Sequence, residues 1–299
     1  MTKLKGIMLN ICSTCHMHCK HCSNIHTLRD RKLMDIAIAE KCINEMDALG
    51  LETITLVGGE PFEEFEHLRI ICEAAYNKGK KIRIITNGFW AYDINDGEEK
   101  LSMLPGVSDI VLSSDLYHLE FVSESTVRNA VNICKKKNIS ISIHAVCANK
   151  EDAKKVKEIY KDLGKYILIN TGAPMPIGAA KDLDIERFKL RDRINRFSKY
   201  CSIGNIYVDI NGNVYGCCNA SLAVDDFLFN GNLLEKSPKE VFGMVDKDAK
   251  FQYLQKNGPR GLKNVLAANE NRELFFDKEY TCECDACVDI SKSMKYKDL

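Results

Sequence analysis

The chain has 299 residues, 45% of them apolar and 28% charged, which excludes general disorder and suffices for one large core or two ordinary domains. Lysine plus arginine equals aspartate plus glutamate at 42 each, so no net charge would hold the protein on nucleic acid or on an anionic membrane. No apolar run approaches the ~20 residues of a membrane helix, and residues 1–5 lack the apolar core of a secretory signal. These features predict a cytoplasmic protein that binds neither nucleic acid nor membrane.

Short β-rich runs alternate with amphipathic helical stretches over residues 6–170. An apolar residue recurs at helical spacing between the first two runs, for example at Ile36, Ala39 and Ile43. This alternation predicts a parallel sheet with right-handed crossovers. Six such runs favour a partial (β/α)6 barrel, with a doubly wound sheet as the alternative, and ligands would bind at the carboxyl ends of the strands in both folds. The runs are residues 6–11, 52–57, 81–86, 109–113, 139–146 and 166–170.

The pattern changes after the sixth run. Residues 171–181 contain two prolines and two glycines and interrupt the alternation, and a charged helix is predicted over 184–200. A hairpin is predicted over 206–215 around Asn211 and Gly212. We therefore divide the chain into residues 1–195, the barrel, and 196–299, a second domain. The second domain has modest apolar content and cysteines at both ends, which is typical of a small domain held together by metal.

Cysteine is the outlier of the composition, with 14 residues, of which four are grouped at 12–22 (the first cysteine loop) and three at 282–287. In a reducing compartment such groups usually bind metal. Cys15, Cys19 and Cys22 follow the first strand, and three thiolates on one short loop can hold an iron-sulfur cubane while leaving its fourth iron open. A structural zinc site that adds Cys12 is the alternative, but only three residues separate the two C-x2-C pairs, too few for the usual zinc motifs.

The order Cys15-x3-Cys19-x2-Cys22 resembles the signature of the radical S-adenosylmethionine (SAM) enzymes. In that family a partial barrel carries a 4Fe-4S cluster, and SAM binds the open iron. The resemblance implies that Cys12 lies outside the ligand set. It also implies that His21, at a position that is usually aromatic, packs near the adenine of SAM.

Three later motifs agree with this family in order and position. Gly58-Gly59-Glu60-Pro61 resembles the glycine motif, in which the backbone and the Glu60 side chain would hold the methionine amino group. Ser113, at the end of the fourth run, matches the ribose-contacting position. The backbone of Ile177-Gly178-Ala179 would meet the adenine. The resemblance covers residues 6–181.

A later pattern, Cys201-x10-Gly212-x4-Cys217 followed by Cys284-x2-Cys287, resembles the twitch domain, a short form of the SPASM domain that carries an auxiliary cluster. The resemblance implies a second 4Fe-4S cluster, with Cys282 competing with Cys284 for one ligand position, and zinc at the same thiols is the alternative. Asn211-Gly212 would turn the chain so that Cys201 and Cys217 face one metal centre. The implied ligands are Cys201, Cys217, Cys284 and Cys287.

Several stretches together resemble the epipeptide type of peptide epimerase among the radical SAM enzymes that modify ribosomal peptides. The resemblance implies that a deoxyadenosyl radical removes the Cα hydrogen of an L-residue and that Cys218 returns hydrogen from the other face. Asp115, Tyr117 and His118, at the rim after the fourth strand, would bind the substrate backbone. The stretches are Thr86-Asn87-Gly88-Phe89-Trp90, Asp115-Leu116-Tyr117-His118, residues 177–181, residues 213–218 and Cys284-x2-Cys287.

The implied partners are a ribosomally made precursor peptide and a one-electron donor such as flavodoxin or ferredoxin. The first strand begins by residue 6, so we expect the peptide to dock on the barrel or on the second domain. Enzymes with the same clusters that dehydrogenate a small alcohol or sugar, rearrange a nucleotide, or form thioether or carbon-carbon crosslinks are alternatives. A zinc-stabilised binding module is the alternative outside enzymes.

Overall fold

A computed structural model describes residues 4–24, 31–184, 192–193, 201, 204–217, 227–267, 275 and 278–293. Its first part alternates six strands with five helices. The strands are β1 (Gly6–Cys12), β2 (Thr53–Gly58), β3 (Lys81–Thr86), β4 (Val107–Ser113), β5 (Ser140–Val146) and β6 (Leu168–Gly172). The helices between them are α1 (Ile36–Glu45), α2 (Phe65–Asn77), α3 (Ile94–Ser102), α4 (Glu124–Lys136) and α5 (Lys150–Ile159).

Local capping residues set where most of these helices begin. The side chains of Asp35, Asp93, Ser123 and Asn149 each accept a backbone N–H from the first turn of the helix that follows. Such caps satisfy donors that the helix itself leaves unpaired, and each contributes about 1 kcal/mol. The helix starts are therefore encoded locally, independent of the packing around them.

The six strands are all parallel, and their order in the sheet follows the chain from β1 to β6. A doubly wound sheet would reverse direction after its first strands, so that alternative is wrong. The sheet curves around a cavity of about 470 Å³, because residues from all six strands line it. The partial (β/α)6 barrel is confirmed. The strand residues that line the cavity include Asn10, Gly58, Thr86, Ser113, His144 and Gly172.

The hydrophobic core lies between the outer face of the sheet and the helices. Alternate strand residues such as Ile7, Leu9, Ile54 and Leu56 are fully buried there, and each contributes about 1.5–3 kcal/mol of hydrophobic stabilisation. Inward positions carry polar side chains, which is unusual for parallel strands because these are commonly apolar on both faces. The inner face therefore combines polar and apolar positions, and both kinds line the cavity, as Asn10 and Val57 do. Inward polar residues include Asn10, Thr55, Arg83, Asp109, Ser142 and His144.

The C-terminal part extends the same sheet. Strand β8 (Asn205–Val208) pairs in parallel with β1, placing Tyr207 opposite Met8. Strands β9 (Asn213–Tyr215) and β10 (Phe229–Asn232) continue the sheet in antiparallel fashion. The other elements are β7 (Asp192–Arg193), β11 (Glu279–Tyr280), α6 (Pro238–Lys247), α7 (Ala249–Ala267, interrupted at Gly258) and α8 (Glu283–Ser293).

The predicted hairpin over 206–215 is confirmed. The carboxylate of Asp209 accepts the backbone N–H groups of Asn211 and Asn213, both at 2.9 Å, and Gly212 adopts a φ of 81°. A positive φ is accessible to glycine without steric strain, which explains the residue at this turn. The proposed boundary at 195/196 and most of the predicted helix over 184–200 lie outside the described residues. Where the structure does describe that stretch, the helix is wrong at 192–193, because Asp192 and Arg193 form β7 and pair with β11. Within the described residues, no helix is both long and apolar enough to cross a membrane.

Candidate radical SAM site

The first cysteine loop leaves the carboxyl end of β1 and is held on two sides. Toward β2, the N–H of Gly59 donates to the Cys12 carbonyl at 2.8 Å, and the N–H of Glu60 donates to the Thr14 carbonyl at 2.7 Å. The Thr14 hydroxyl donates to Glu64 at 2.6 Å. On the other side, the N–H of Ser13 donates to the Lys32 carbonyl at 2.9 Å. These bonds fix the start of the loop, residues 12–14, between the end of β2 and the segment before α1.

Cys15, Cys19 and Cys22 all line the cavity. Burial, with a smaller contribution from neighbouring negative charge, raises the pKa of Cys15 and of Cys19 to about 12. These groups are neutral thiols at neutral pH unless a bound cation stabilises the thiolate, which is the form that ligates metal. The donor set thus fits an iron-sulfur cluster. The cavity volume lies within the range of about 300–1,000 Å³ typical of cofactor and ligand sites.

Cys12 is placed apart from these three thiols. Its side chain is fully buried, and its thiol donates to the Glu60 carbonyl at 3.6 Å. Burial is the main reason that its pKa rises to about 12, and the charge of Glu60 adds to the shift. Cys12 is a core thiol between β1 and β2 in this structure.

Gly58 and Gly59 allow the first cysteine loop to pack against the end of β2. A Cβ on Gly58 would lie 2.5 Å from the Cys12 carbonyl oxygen, and a Cβ on Gly59 would lie 2.2 Å from that of Thr14. No side chain fits at such distances, so both positions require glycine. The sequence motif predicted that the backbone comes close to the methionine amino group, which stays a prediction. The close approach seen in this structure is between two segments of the chain. Both glycines also line the cavity.

Glu60 lies buried beneath the rim, with its carboxylate bound by the protein. It accepts the N–H of Phe62 at 3.0 Å, the Thr86 hydroxyl at 2.7 Å and the N–H of Asn87 at 2.7 Å. Burial raises its pKa to about 7 despite these donors. The carboxylate thus connects the end of β2 to the turn after β3. Its predicted contact with the methionine amino group stays a prediction.

Asp115 organises the rim after β4. It is fully buried, and it accepts the N–H groups of Tyr117 at 2.9 Å, His118 at 3.1 Å and Val146 at 3.0 Å. Its Oδ2 lies 2.9 Å from Nδ1 of His118 and 3.4 Å from Nε2 of His21. Burial alone would raise the pKa of Asp115, but its bonds to His118 and His21 outweigh burial and hold the pKa well below its usual range.

The two histidines held by Asp115 line the cavity, and the ring of Tyr117 stacks on His21 with centroids 4.6 Å apart. The Nδ1 atom of His21 is buried and has no hydrogen-bond partner within the described residues. Ligand atoms of His21, Asp115 and His118 lie within 4.8 Å of one another, a spacing that could suit a single metal ion. Since Asp115 already accepts several N–H groups, the trio is explained by orientation of the two rings.

Ile177 and Gly178 follow β6 and lie against the end of the first cysteine loop. The N–H of Ala179 donates to the Cys22 carbonyl at 2.9 Å. Gly178 has a φ of 58°, and a Cβ on it would lie 2.6 Å from the same carbonyl oxygen. The structure thus brings this segment to the third cysteine, while Ser113 lies on the cavity wall as its predicted ribose contact requires.

Four thiols predicted for the second cysteine group (Cys201, Cys217, Cys282, Cys284 and Cys287) come together from distant parts of the chain, while the place of Cys217 beside them stays a prediction. Burial and the charges of Cys201 and Cys282 raise the pKa of Cys287, so these three thiols lie near one another. A hydrogen bond from Cys284 lowers the pKa of Cys282. Both candidates for the contested ligand position are therefore close to the group. Cys217 is buried at the end of β9, and Cys218 lies outside the described residues.

Sequence reasoning missed several residues that line the cavity, among them Asn10, His144 and Tyr207. Asn10 and His144 sit at inward strand positions flanked by buried apolar residues. A polar side chain that alternates with isoleucine and leucine in a parallel strand is the signal that could have identified them. Tyr207 had no such signal, because its place in the cavity depends on the pairing of β8 with β1.

Comparison with known proteins adds a family match and three relatives. Residues 6–132 match the family described as "4Fe-4S single cluster domain". The chain is 25% identical to "Putative peptide biosynthesis protein YydG" of Bacillus subtilis over 97% of this chain and 92% of that protein. It is 26% identical to GTP 3',8-cyclase of Synechocystis sp. over 44% of this chain and 39% of that protein. It is 24% identical to "Putative glycyl-radical enzyme activating enzyme MJ1227" of Methanocaldococcus jannaschii over 52% of this chain and 68% of that protein.

These comparisons support a radical SAM enzyme. They support a 4Fe-4S cluster and the use of SAM, in agreement with the three thiols at the cavity. Among solved structures, a D-psicose 3-epimerase from Clostridium cellulolyticum H10 is similar over 58% of this chain and 67% of that chain at 12% identity. Its TM-score of 0.30 is too low to carry an argument about fold or function.

Proposed function

We propose that this chain is a radical SAM enzyme that converts L-residues of a ribosomally made peptide to D-residues. The main support for a peptide substrate is the length of the match to the Bacillus subtilis peptide biosynthesis protein. That match covers 97% of the chain and so spans both the first cysteine loop and the second cysteine group, whereas the other two relatives match about half.

In this proposal Cys15, Cys19 and Cys22 hold the cluster, and the cavity above them holds SAM. Once reduced, the cluster and SAM together supply a carbon-centred radical that can abstract a hydrogen atom. Such chemistry suits a peptide Cα, whose proton is too weakly acidic for a side-chain base, since general base catalysis usually contributes ~10²–10⁴-fold. Gly58, Gly59, Ser113, His21, Ile177 and Gly178 surround or support the SAM position, and Glu60 orders the rim beneath it.

The rim after β4 would orient the peptide. Asp115 is fully buried, so it acts through its neighbours: it fixes the rings of His118 and His21 and the backbone of Tyr117. The Nδ1 atom of His118 lies 2.9 Å from Oδ2 of Asp115 without the geometry of a hydrogen bond, so the bond from the main-chain N–H of His118 to Asp115 is what fixes this residue beside the carboxylate. His118 and Tyr117 would then contact substrate, and Asp115 is a positioning residue.

Hydrogen return is assigned to Cys218. Its S–H bond breaks and a C–H bond forms at the peptide Cα on the face opposite the abstraction, which leaves a thiyl radical on Cys218. One electron and one proton then restore the thiol. Cys201, Cys217, Cys287 and either Cys284 or Cys282 would hold a second cluster, which would supply this electron from an external donor such as flavodoxin or ferredoxin.

The test is incubation of the anaerobically reconstituted enzyme with SAM, reductant and synthetic peptides encoded beside its gene, in deuterated water. Epimerisation predicts one deuteron at Cα for each altered residue and no other mass change. Cys218→Ala should abolish this product while deoxyadenosine still forms. Cys72→Ala, which removes a fully buried thiol from α2, should leave the product unchanged.

Other products would identify other functions. Loss of two hydrogens from the peptide, with Cys218→Ala still active, would replace epimerisation by crosslinking or another oxidation. No peptide product, together with turnover of a small alcohol or sugar, would indicate a dehydrogenase. Zinc in place of iron and sulfide in the purified protein would contradict the radical SAM assignment altogether.

A further inference from the structure

Asn10 on β1 and Tyr207 on β8 form a buried polar pair in the wall of the cavity. The Nδ2 of Asn10 donates to the Tyr207 hydroxyl oxygen at 2.9 Å. Asn10 is 3% exposed and Tyr207 is 2% exposed, yet both line the cavity. The pair joins the barrel to the C-terminal part of the chain, because β8 lies beyond the six barrel strands in sequence.

The pair has unused hydrogen-bonding capacity. The Oδ1 atom of Asn10 is buried and has no hydrogen-bond partner within the described residues. The oxygen of Tyr207 is the acceptor in its bond to Asn10, so its hydroxyl hydrogen is free to be donated elsewhere. If the side-chain amide of Asn10 is turned by 180°, its oxygen accepts from the Tyr207 hydroxyl instead. The free donor is then the Asn10 nitrogen and the free acceptor is the Tyr207 oxygen, so the pair still offers one of each. An unpaired buried polar atom costs about 1–3 kcal/mol, so a ligand that satisfies both would bind favourably.

We infer that Asn10 and Tyr207 bind the backbone N–H and C=O of one residue of the peptide substrate, held extended (the amide site). In an extended chain the N–H and C=O of the same residue point to the same side, so the N–H can donate to Asn10 Oδ1 while the C=O accepts from the Tyr207 hydroxyl. A carboxylate offers acceptors alone and an ammonium offers donors alone, so neither satisfies the pair. The inference rests on the proposed function, since it specifies how the peptide is held in the cavity.

The position of the pair favours the peptide over SAM. The adenine edge of SAM also carries a donor beside an acceptor, but its predicted contacts are His21, which packs on residues after β4, and Gly178 after β6. Asn10 and Tyr207 lie on β1 and β8 at the other end of the strand order. Strand β9, next to β8, ends at Tyr215, two residues before Cys217. A peptide amide held here would lie between the first cysteine loop and the strand that leads to the second cysteine group.

The test compares Tyr207→Phe and Asn10→Leu with Tyr160→Phe. Tyr160 is a matched control, because its hydroxyl is also buried and bonded to one side chain, Ser114 at 2.7 Å, away from the cavity lining. The probe is the gene-adjacent peptide that the wild-type enzyme modifies fastest. We expect each cavity variant to raise the KM for this peptide about tenfold, near the value of one hydrogen bond, with iron content and the KM for SAM in peptide-free cleavage unchanged.

A second measurement leaves the protein unchanged and alters the peptide. N-methylation of the peptide removes one backbone donor at a time. At one peptide position, methylation should raise the KM of the wild-type enzyme about tenfold but the KM of Asn10→Leu less than twofold, because that variant has already lost the acceptor. KM values within twofold of wild type in both cavity variants, with the peptide still modified, would overturn the amide site and leave the proposed function standing. A raised KM for SAM alone would assign the pair to adenine and overturn it too. A wild-type enzyme that cleaves SAM but modifies no peptide would overturn the proposed function and the amide site together.

Discussion

The first cysteine loop and the second cysteine group differ in how far apart in sequence their cysteines lie. Cys15, Cys19 and Cys22 are neighbours in sequence, and their loop is held by main-chain bonds from Gly59, Glu60 and Ser13. The second group instead brings the thiols of Cys201 and Cys282 near that of Cys287, from distant segments of the C-terminal part. The first site therefore depends on contacts close to the end of β1, whereas the second depends on packing between distant segments.

This difference predicts that the two sites fail separately. Damage to the scaffold of the first cysteine loop should end all SAM chemistry. Damage to the second cysteine group should leave SAM cleavage and stop only the steps that need the second cluster. Two substitutions test whether the sites fail separately, and two more test how the rim of the first site is held. They follow in order of expected effect.

Gly59→Ala should have the largest effect. Its Cβ would meet the Thr14 carbonyl oxygen at 2.2 Å and that of Ser13 at 2.7 Å, so the first cysteine loop must move. We expect deoxyadenosine formation to fall to background and about four iron atoms per chain to be lost, as measured by iron analysis and chromatography. Gly243→Ala, in α6 with no atom within 4 Å of its added Cβ, should keep full activity. Normal activity of Gly59→Ala would show that the loop is not held as described.

Cys287→Ala should separate the two sites. Cys287 is buried with the thiols of Cys201 and Cys282 nearby, and its loss should remove the second cluster while deoxyadenosine formation without peptide continues. Peptide modification should stop, as measured by mass spectrometry. Cys282→Ala and Cys284→Ala assign the fourth ligand, since only the true ligand should lower the iron content. Cys42→Ala, a buried thiol of α1, is the control. Iron content equal to wild type in Cys287→Ala would exclude a second cluster at this group.

Asp115→Asn should cost stability at the rim. The substitution removes the charge that holds His118 and His21, and breaking a buried charged network by removing one partner typically costs about 3–5 kcal/mol. We expect a lower thermal midpoint under anaerobic conditions and a higher KM for the peptide. Because the folded-state pKa of Asp115 lies below its usual range, its stabilising contribution is present above about pH 4 and is lost only as the pH falls further. A wild-type midpoint in this variant would contradict the orienting role.

Glu60→Gln should have the smallest effect, on pH dependence. Burial raises the pKa of Glu60 from 4.5 to about 7, so the folded protein holds a proton there that the unfolded chain has released. The free energy of unfolding of the wild type should therefore fall as the pH rises from about 4.5 to 7, by at most about 3 kcal/mol, and level off above. Thermal midpoints measured between pH 5 and 8 should lose this slope in the Gln variant. An identical slope in both proteins would assign it to another group.

The sequence predicted elements and motifs well where the signal is local. The six strands were placed within a few residues, and the hairpin was predicted from Asn211-Gly212. The cavity-lining positions of Cys15, Cys19 and Cys22 followed from their place after β1. The Glu60 network could not be predicted, because its partners Thr86 and Asn87 follow another strand and only the parallel register brings them together.

By itself, the sequence determined the alternation of strands and helices, the turn at Asn211-Gly212 and the spacing of the first three thiols. These features arise from neighbours along the chain, through side-chain periodicity, capping and loop length. Only the tertiary structure decided that β8 pairs with β1, that Tyr207 therefore meets Asn10, and that Asp115 is buried between two histidines. Contacts between residues far apart in sequence depend on strand register and packing, and a single sequence carries no local signal for either.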